Sequence, residues 1–355
     1  MRISLKVDDV SKFLRDASFV TAKYGHEGTL SRIYISTIDN DHVSLELSSD
    51  TAYARLVADC QVSELGNCFV NTNKFTSLMC SFTGLIDIFD DGKELNIQQN
   101  NVRVKLPLIK QDEWRGLHIA DDLKLYANVS GEELVQAVAT TSPFVTPKTP
   151  TVAGGICLNI KDAVVKLLSC NSAAMAVYYM TNNIQCDNVL RTTLEVDVMR
   201  NVAKLFGSKN INIYANEFIV KFQCDEYMVA TRVIRGKYPL IESLITNNQK
   251  TCIDIKRKAL EESLSRLLIV SDKLNKRITL GISSSGLQLS YSSSYIDLLQ
   301  FETLEGDNCS VAFNYDYIDN IVRLISSERL KLMITHNNQL YINDKVISIL
   351  ISPLL

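Results

Sequence analysis

The stretch RISLKVDDVSKFLRDASFVTAKYG, residues 2–25, reads as a short strand, a turn and an amphipathic helix. Val10, Phe13, Leu14 and Ala17 recur at helical spacing, with Lys12, Arg15 and Asp16 elsewhere on the wheel. The pattern returns as LKLYANVSGEELVQAVATTSPFV, residues 123–145, where Ser130 stands as an N-cap before Glu132 and Glu133. It returns again as TCIDIKRKALEESLSRLLIVSDK, residues 251–273, where Leu260, Leu264, Leu267 and Leu268 make the apolar stripe.

Each opening leads through strands to a second helix of similar kind: VNTNKFTSLMCSFTG (70–84), LEVDVMRNVAKLFGS (194–208) and FNYDYIDNIVRLISSE (313–328). Paired alternating strands follow every time, over 85–108, 211–234 and 330–352, divided by turn pairs such as Asp91-Gly92 and Asn337-Asn338. A period of roughly 120 residues is too long for a solenoid and suits tandem domains. Chance recurrence of amphipathic segments is the competing explanation. The order strand, helix, strands, helix, strands, met three times, argues against it. The expectation is an α+β chain of three β-rich domains with two helices each, over 1–121, 122–247 and 248–355.

The 355 residues are 46% hydrophobic and 22% charged, a globular composition with room for two or three cores. No apolar run approaches a membrane span, and the opening MRISLKVDDV lacks a signal-peptide core, so the expected compartment is the cytoplasm. The nine cysteines form no CxxC pair and have no histidine at a ligand spacing. Free, buried thiols are expected, with no metal and no cofactor.

Several segments carry a family resemblance that covers the whole chain. VNTNKF (70–75), RVIRGKYPLIESLI (232–245), RLLIVSDKLNKRITLGISSSGLQLS (266–290), FNYDYIDNIV (313–322) and the final ISPLL (351–355) resemble, in order and spacing, the bacterial sliding clamp family, the β subunit of DNA polymerase III. Two departures mark a divergent member, whether carried by a cell or a phage. A turn that is Asp-Gly-His-Arg-Leu-like in the family reads Cys170-Asn171-Ser172-Ala173-Ala174-Met175-Ala176 here. A commonly acidic edge strand reads SYIDLLQFE (294–302).

The resemblance implies a non-catalytic processivity factor in DNA replication. Two protomers would close head to tail into a ring, helices lining the hole and sheets forming the wall. Duplex DNA would pass through, and DNA polymerase, a clamp loader and other clients would dock outside. Charge placement agrees with this. The helix windows 8–24, 71–83, 131–143, 196–209, 256–277 and 314–331 carry a net +5 and the remaining residues −8, together the −3 of the chain. Candidate DNA contacts are Lys12, Arg15, Lys23, Lys74, Arg200, Lys204, Lys258, Arg266 and Lys273. Taken singly, each is as readily a solvated lysine or arginine on a helix. No base-reading motif appears, which suits sequence-independent phosphate contact.

By the same resemblance, Lys74, Arg103, Val104 and Leu106 would face Ile269, Val270, Ile296, Leu298 and Leu299 of a second chain in a homodimer. A client-peptide pocket would comprise Ala153, Ala174, Met175, Pro239, Leu244, Leu350, Pro353 and Leu354. Nearly all are apolar, as a pocket for a Leu or Phe anchor requires. Met175 and Leu244 could equally be ordinary core, and the tail a loose end. Yet Ile349-Leu350-Ile351-Ser352-Pro353-Leu354-Leu355 is too apolar for a free end, and docking is expected. Ala174 and Ser243 stand where basic residues are common in the family, so an altered peptide preference is expected.

Enzymatic readings find little support. His26, His42, His118 and His336 form no triad or HExxH arrangement, and no P-loop is present. Gly154-Gly155 reads as a turn at a strand start. The pairs Asp8-Asp9, Asp90-Asp91 and Asp121-Asp122 lie at caps and turns, and a metal-dependent nuclease built from them is the weaker alternative. A β-rich interaction scaffold that never encircles DNA is the other.

Overall fold

The structure, a computed structural model, describes residues 1–22, 32–110, 116–146, 149, 151–162, 164–181, 189–245, 249–272 and 275–354. The described residues fall into two compact units: those within 1–135 and 197–233 form the first, and those within 136–181, 189–196 and 234–354 the second.

The first unit is built on a twelve-stranded sheet. Its main path runs Val102–Pro107, Glu94–Gln99, Leu85–Asp90, Arg2–Lys6, Ala52–Glu64, Tyr227–Arg232, Ile219–Gln223, Asn210–Ala215 and Lys124–Ser130. The second holds a nine-stranded sheet in the order Leu190–Glu195, Gly155–Lys161, Val164–Cys170, Ala174–Met180, Ile347–Ile351, Leu340–Asp344, Arg329–Thr335, Gln249–Lys256 and Phe301–Gly306. It also holds a four-stranded sheet, Tyr295–Leu299, Gly286–Tyr291, Arg277–Ser283 and Cys309–Asn314. Every one of these pairings is antiparallel, so alternation puts one face of each strand into a core.

The sheets and the repeat divide the chain differently. Repeat two lends Lys124–Ser130 and its last three strands to the first unit's sheet, and the four strands between Gly155 and Glu195 to the second's.

The helices are α1 (Val7–Asp16), α2 (Phe19–Ala22), α3 (Thr72–Met79), α4 (Gly131–Thr141), α5 (Val196–Phe206), α6 (Arg257–Val270) and α7 (Tyr315–Leu324). Leaving aside the four-residue α2, each repeat contributes two, as its pattern predicts. The apolar stripes are core: Val10, Phe13 and Leu14 of α1 and Ala17 at its C-cap are fully buried, as are Leu260, Leu264 and Leu267 of α6. Leu268 departs from the expectation. It is 45% exposed, because a step of about 100° per residue turns it away from Leu267's face.

The helices are also shorter than their windows. The 8–24 window breaks after Asp16, where Ala17 turns out of helical geometry and α2 begins separately. α6 stops at Val270, where Ser271 is extended, and α7 stops at Leu324 before an extended Ile325.

Both turn pairs form hairpins. The Asp91 carboxylate accepts from the Lys93 and Glu94 amides while Gly92 takes φ +84°, and Asn338 takes φ +57°, a left-handed position that asparagine tolerates. Gly131 opens α4 where a Cβ would stand 2.1 Å from the Gly207 carbonyl, so only glycine lets the two segments meet. Gly154 and Gly155 lie at the end of a 3-10 turn and the start of a strand, as read.

The eight described cysteines are all free. Cys68, Cys157 and Cys252 are buried, but Cys80 is exposed and the other four are half-buried, so burial holds for only part of the set. Burial pushes the Cys68 and Cys157 thiols up to about 12, and both stay protonated at neutral pH. Among the described residues, no helix is long and apolar enough to cross a membrane, and no histidine, cysteine and carboxylate cluster could hold a metal ion.

Candidate functional site

All eight expected pocket residues fall in the second unit. Strand pairing gathers the distant ones. Met175 stands opposite Leu350, and Ala174 opposite Ile351. The tail then stays attached beyond its strand: the Ser352 N–H donates to the Ala173 carbonyl at 2.7 Å, and the Leu354 N–H to the Ala312 carbonyl at 2.8 Å. The expected docking of the C-terminal segment is therefore present through Leu354.

Two apolar clusters meet at Met175. Cys157, Leu168, Val177, Tyr238 and Ile241 form one, with Val152 packed against it. Cys252, Met333, Tyr341 and Leu350 form the other. Met175 and Ile245 touch both, and both are only partly buried. Pro239 and Leu244 are exposed, Leu244 by 57%, while Ala153, Pro353 and Leu354 are half-buried. Ala174 and Leu350 are buried within the sheet. The Tyr238 hydroxyl is buried with no hydrogen-bond partner among the described residues, and burial pushes it far above the ordinary tyrosine range.

Sequence reading missed two residues here. The Asn171 side chain accepts from the Ala173 and Ala174 amides, each at 2.9 Å, and donates to the Tyr317 hydroxyl at 3.0 Å. Tyr317 in turn stacks on Phe144 at 5.6 Å. The signal for Asn171 was available, since an asparagine just before small residues between strands is a turn former. Nothing local marks Tyr317.

The segment carrying Pro239 and Leu244 is held by a polar clamp. Arg191 donates to the Pro239 carbonyl at 3.0 Å and pairs with Glu242 at 3.3 Å, and Asn159 donates to Glu242 at 3.0 Å. Burial would raise the Glu242 carboxyl, but the hydrogen bond and charge of Arg191 outweigh it and hold Glu242 below its ordinary value. Beside this clamp lies a cavity of about 540 Å³ lined in part by Lys161, Lys166, Val189, Leu240 and Ser243.

The basic candidates separate into two groups. Lys12, Arg15, Lys74 and Lys258 are exposed and make no ion pair among the described residues. Arg200 pairs with Asp197 at 3.3 Å, Lys204 with Asp16 at 2.6 Å, and Arg266 with Asp297 at 2.8 Å. Lys23 and Lys273 lie outside the described residues. Within the observed helix bounds α3, α5 and α6 carry +1 each, α1 and α7 −1 each and α4 −2, a total of −1. The +5 of the wider windows therefore belongs to residues flanking the helices, such as Lys209, Lys256, Lys276 and Arg277, not to the helices themselves.

The expected interface residues lie on two sheet edges and two helices, with Lys74 on α3 and Ile269 and Val270 at the end of α6. Tyr295–Leu299 is the edge of the four-stranded sheet and packs against α6. There Leu268, Ile269, Val270, Ile296 and Leu298 form an exposed apolar patch, with Ile269 84% exposed. Val102–Pro107 is the edge of the twelve-stranded sheet, where Arg103 is exposed and Val104 half-buried. Leu106 and Leu299 are buried in their own units, so they offer backbone rather than side chain to a partner.

Comparison with known proteins places this geometry. Residues 242–348 match the family model of the DNA polymerase III beta subunit, C-terminal domain. The chain is 25% identical to the beta sliding clamp of Synechocystis sp. over 148 residues, 40% of this chain and 38% of that protein. It is 19% identical to that of Pseudomonas putida over 260 residues, 72% of this chain and 71% of that protein. The fold matches a DNA polymerase sliding clamp from Bacillus subtilis with a TM-score of 0.90 at 16% identity, covering 100% of this chain and 99% of that one. The beta subunit from the DNA polymerase of Streptococcus pyogenes gives 0.89 at 15% identity over 100% of both chains.

Proposed function

From its place as a divergent member of the DNA polymerase III beta subunit family, we propose that the chain is a non-catalytic sliding clamp, which encircles duplex DNA and tethers DNA polymerase to it. The observation that carries the reading is a pair of strand edges with no pairing partner among the described residues. One is the apolar patch of Ile269, Val270, Ile296 and Leu298 beside a free strand edge. The other is the free edge Val102–Pro107 in the other unit.

A long open edge beside apolar side chains invites pairing with another chain, and folded proteins normally cover or charge it. Joining the first edge of one protomer to the second edge of another would satisfy both. Repeating the contact with the roles exchanged closes a dimer. In such a ring the three repeats act as three domains per protomer.

Retention then comes from topology, so weak phosphate contacts suffice. Lys12, Arg15, Lys74 and Lys258 are the side chains with charge to spare for them. Sequence-independent contact also leaves the ring able to diffuse along the duplex. The pocket around Met175, Pro239, Leu244 and the docked tail takes an apolar anchor from polymerase, loader or other client. The working compartment is the cytoplasm.

The experiment is loading on nicked circular DNA, followed by a high-salt wash and then linearisation. A ring survives the wash and leaves once the circle is cut. Equal loss from circular and linear DNA at high salt would leave a β-rich scaffold that does not encircle DNA.

A further inference from the structure

We propose that the cavity beside Arg191 and Glu242 is an acidic-flank subsite, taking carboxylate-bearing residues of the same client peptide whose apolar anchor enters the pocket. The inference rests on the pocket reading above and adds the chemistry of the peptide's flank.

The segment from Pro239 to Leu244 separates the proposed anchor pocket from the cavity. Arg191 and Asn159 pin it down through the Pro239 carbonyl and the Glu242 carboxylate, and Ser243 closes its turn by donating to the Leu240 carbonyl at 2.8 Å. Ile241 is buried between, packed with Tyr238. Pro239 and Leu244 belong to the pocket, while Leu240 and Ser243 line the cavity. A peptide anchored in the pocket has only this segment to cross before it meets the cavity.

The cavity's charge selects what crosses. Three cations, Lys161, Lys166 and Arg191, line it against two carboxylates, Asp162 and Glu242. Glu242 is committed to Arg191 and Asn159. Asp162 lies 3.7 Å from Lys161 and is 82% exposed, so solvent screens that pair. Lys166 makes no direct ion pair among the described residues, although its charge also acts on Glu242, and its ammonium sits 5.2 Å from the centre of the Tyr179 ring. The remaining charge is positive. Leu240 and Val189, each 61% exposed, offer apolar contact beside it. A partly apolar, acidic stretch satisfies both features.

The test is fluorescence anisotropy on the full chain. Three peptides share one apolar anchor and differ only in a flank of acidic, uncharged or lysine residues. Two exposed ion pairs should make the acidic flank bind about five-fold tighter than the uncharged one at low salt. The advantage should vanish at high salt and in K161E/K166E, and that variant should instead favour the lysine flank. The uncharged peptide should bind wild type and variant alike, which separates this effect from misfolding.

Equal binding of all three flanks by wild type would overturn the subsite and leave the pocket intact. An acidic preference persisting in K161E/K166E would place the subsite elsewhere. Failure of every peptide to bind would remove the pocket and the subsite together. Binding of a labelled oligonucleotide, lost in the same variant, would assign the cavity to nucleic acid instead.

Discussion

The Lys204 ammonium lies 2.6 Å from the Asp16 carboxylate, joining α5 to the last residue of α1 within the first unit. Asp16 is 5% exposed, whereas Lys204 reaches it from a largely exposed position. Beneath the pair, Tyr227 stacks on Phe13 at 6.2 Å and meets Phe206 edge-on at 6.1 Å. Lys204 is thus a fastener between helices of two repeats. Replacing it with Met strands a buried carboxylate and should cost about 1–3 kcal/mol in urea unfolding. Adding Asp16→Asn should recover most of the loss. A single variant as stable as wild type would show that the carboxylate needs no partner.

DNA contact should follow the unpaired cations instead. Replacing Lys12, Arg15, Lys74 and Lys258 by Ala should flatten the salt dependence of direct binding to a short duplex by about 0.9 per lost phosphate contact. Lys204→Met should leave the slope unchanged. A slope unmoved by the four replacements would reject these positions as phosphate contacts.

The exposed end of α6 makes the dimer testable without disturbing the core. Ile269 is 84% and Val270 46% exposed, so Asp at both positions removes little packing inside the chain. The I269D/V270D chain should sediment as a monomer and melt close to wild type. Native mass spectrometry returning the wild-type species for this variant would exclude the patch from the interface.

Asp91 supplies a pH signature for the first unit. Hydrogen bonds from the Glu94 and Lys93 amides and the Asn96 side chain lower its carboxyl to about 2 from the ordinary 3.8. A lowered folded value means that the ionised form supports the fold. The support is complete above 3.8 and is lost as pH falls toward 2. Asp91→Ala should therefore be less stable than wild type at pH 6, with the gap closing at pH 2. A gap of constant size across that range would show that the turn's backbone, not the charge, is what matters.

The sequence exposes those features whose cause is local. Val10, Phe13, Leu14 and Ala17 announce α1 because burial imposes the helical period on the residues themselves. Asp91-Gly92 announces a hairpin because few other residues suit that turn. Helix ends are less visible: nothing in 8–24 reveals the break after Asp16, so charge summed over the window credited α1 with Lys23. Pairings between distant segments are hidden altogether. The partner of Lys204 lies in another repeat, and Tyr317 meets Asn171 only after the sheets are assembled. The pocket positions came from family likeness. The apolar character of Ala174 and Leu350 follows from burial, but their meeting with Met175 follows from strand order.

The tail gives the sharpest separation of binding from folding. Strand Ile347–Ile351 is paired on both sides, with Ala174–Met180 and Leu340–Asp344. Pro353 and Leu354 add to that sheet no pairing of their own, and Leu354 is held by a single described backbone bond, to Ala312. Removing Pro353 to Leu355 therefore leaves the sheet intact, along with the patch around Ile269. What it removes is one side of the proposed pocket, since Pro353 and Leu354 lie three and four residues beyond Leu350, the neighbour of Met175. The truncated chain should keep its native mass and melt within a few degrees of wild type, because one backbone hydrogen bond contributes only about 0.5–1.5 kcal/mol. Its affinity for an apolar-anchor peptide should fall by at least ten-fold, and polymerase stimulation should fall with it. Wild-type affinity in the truncated chain, read by fluorescence anisotropy, would take the tail out of the site. A lowered mass would instead tie the tail to assembly.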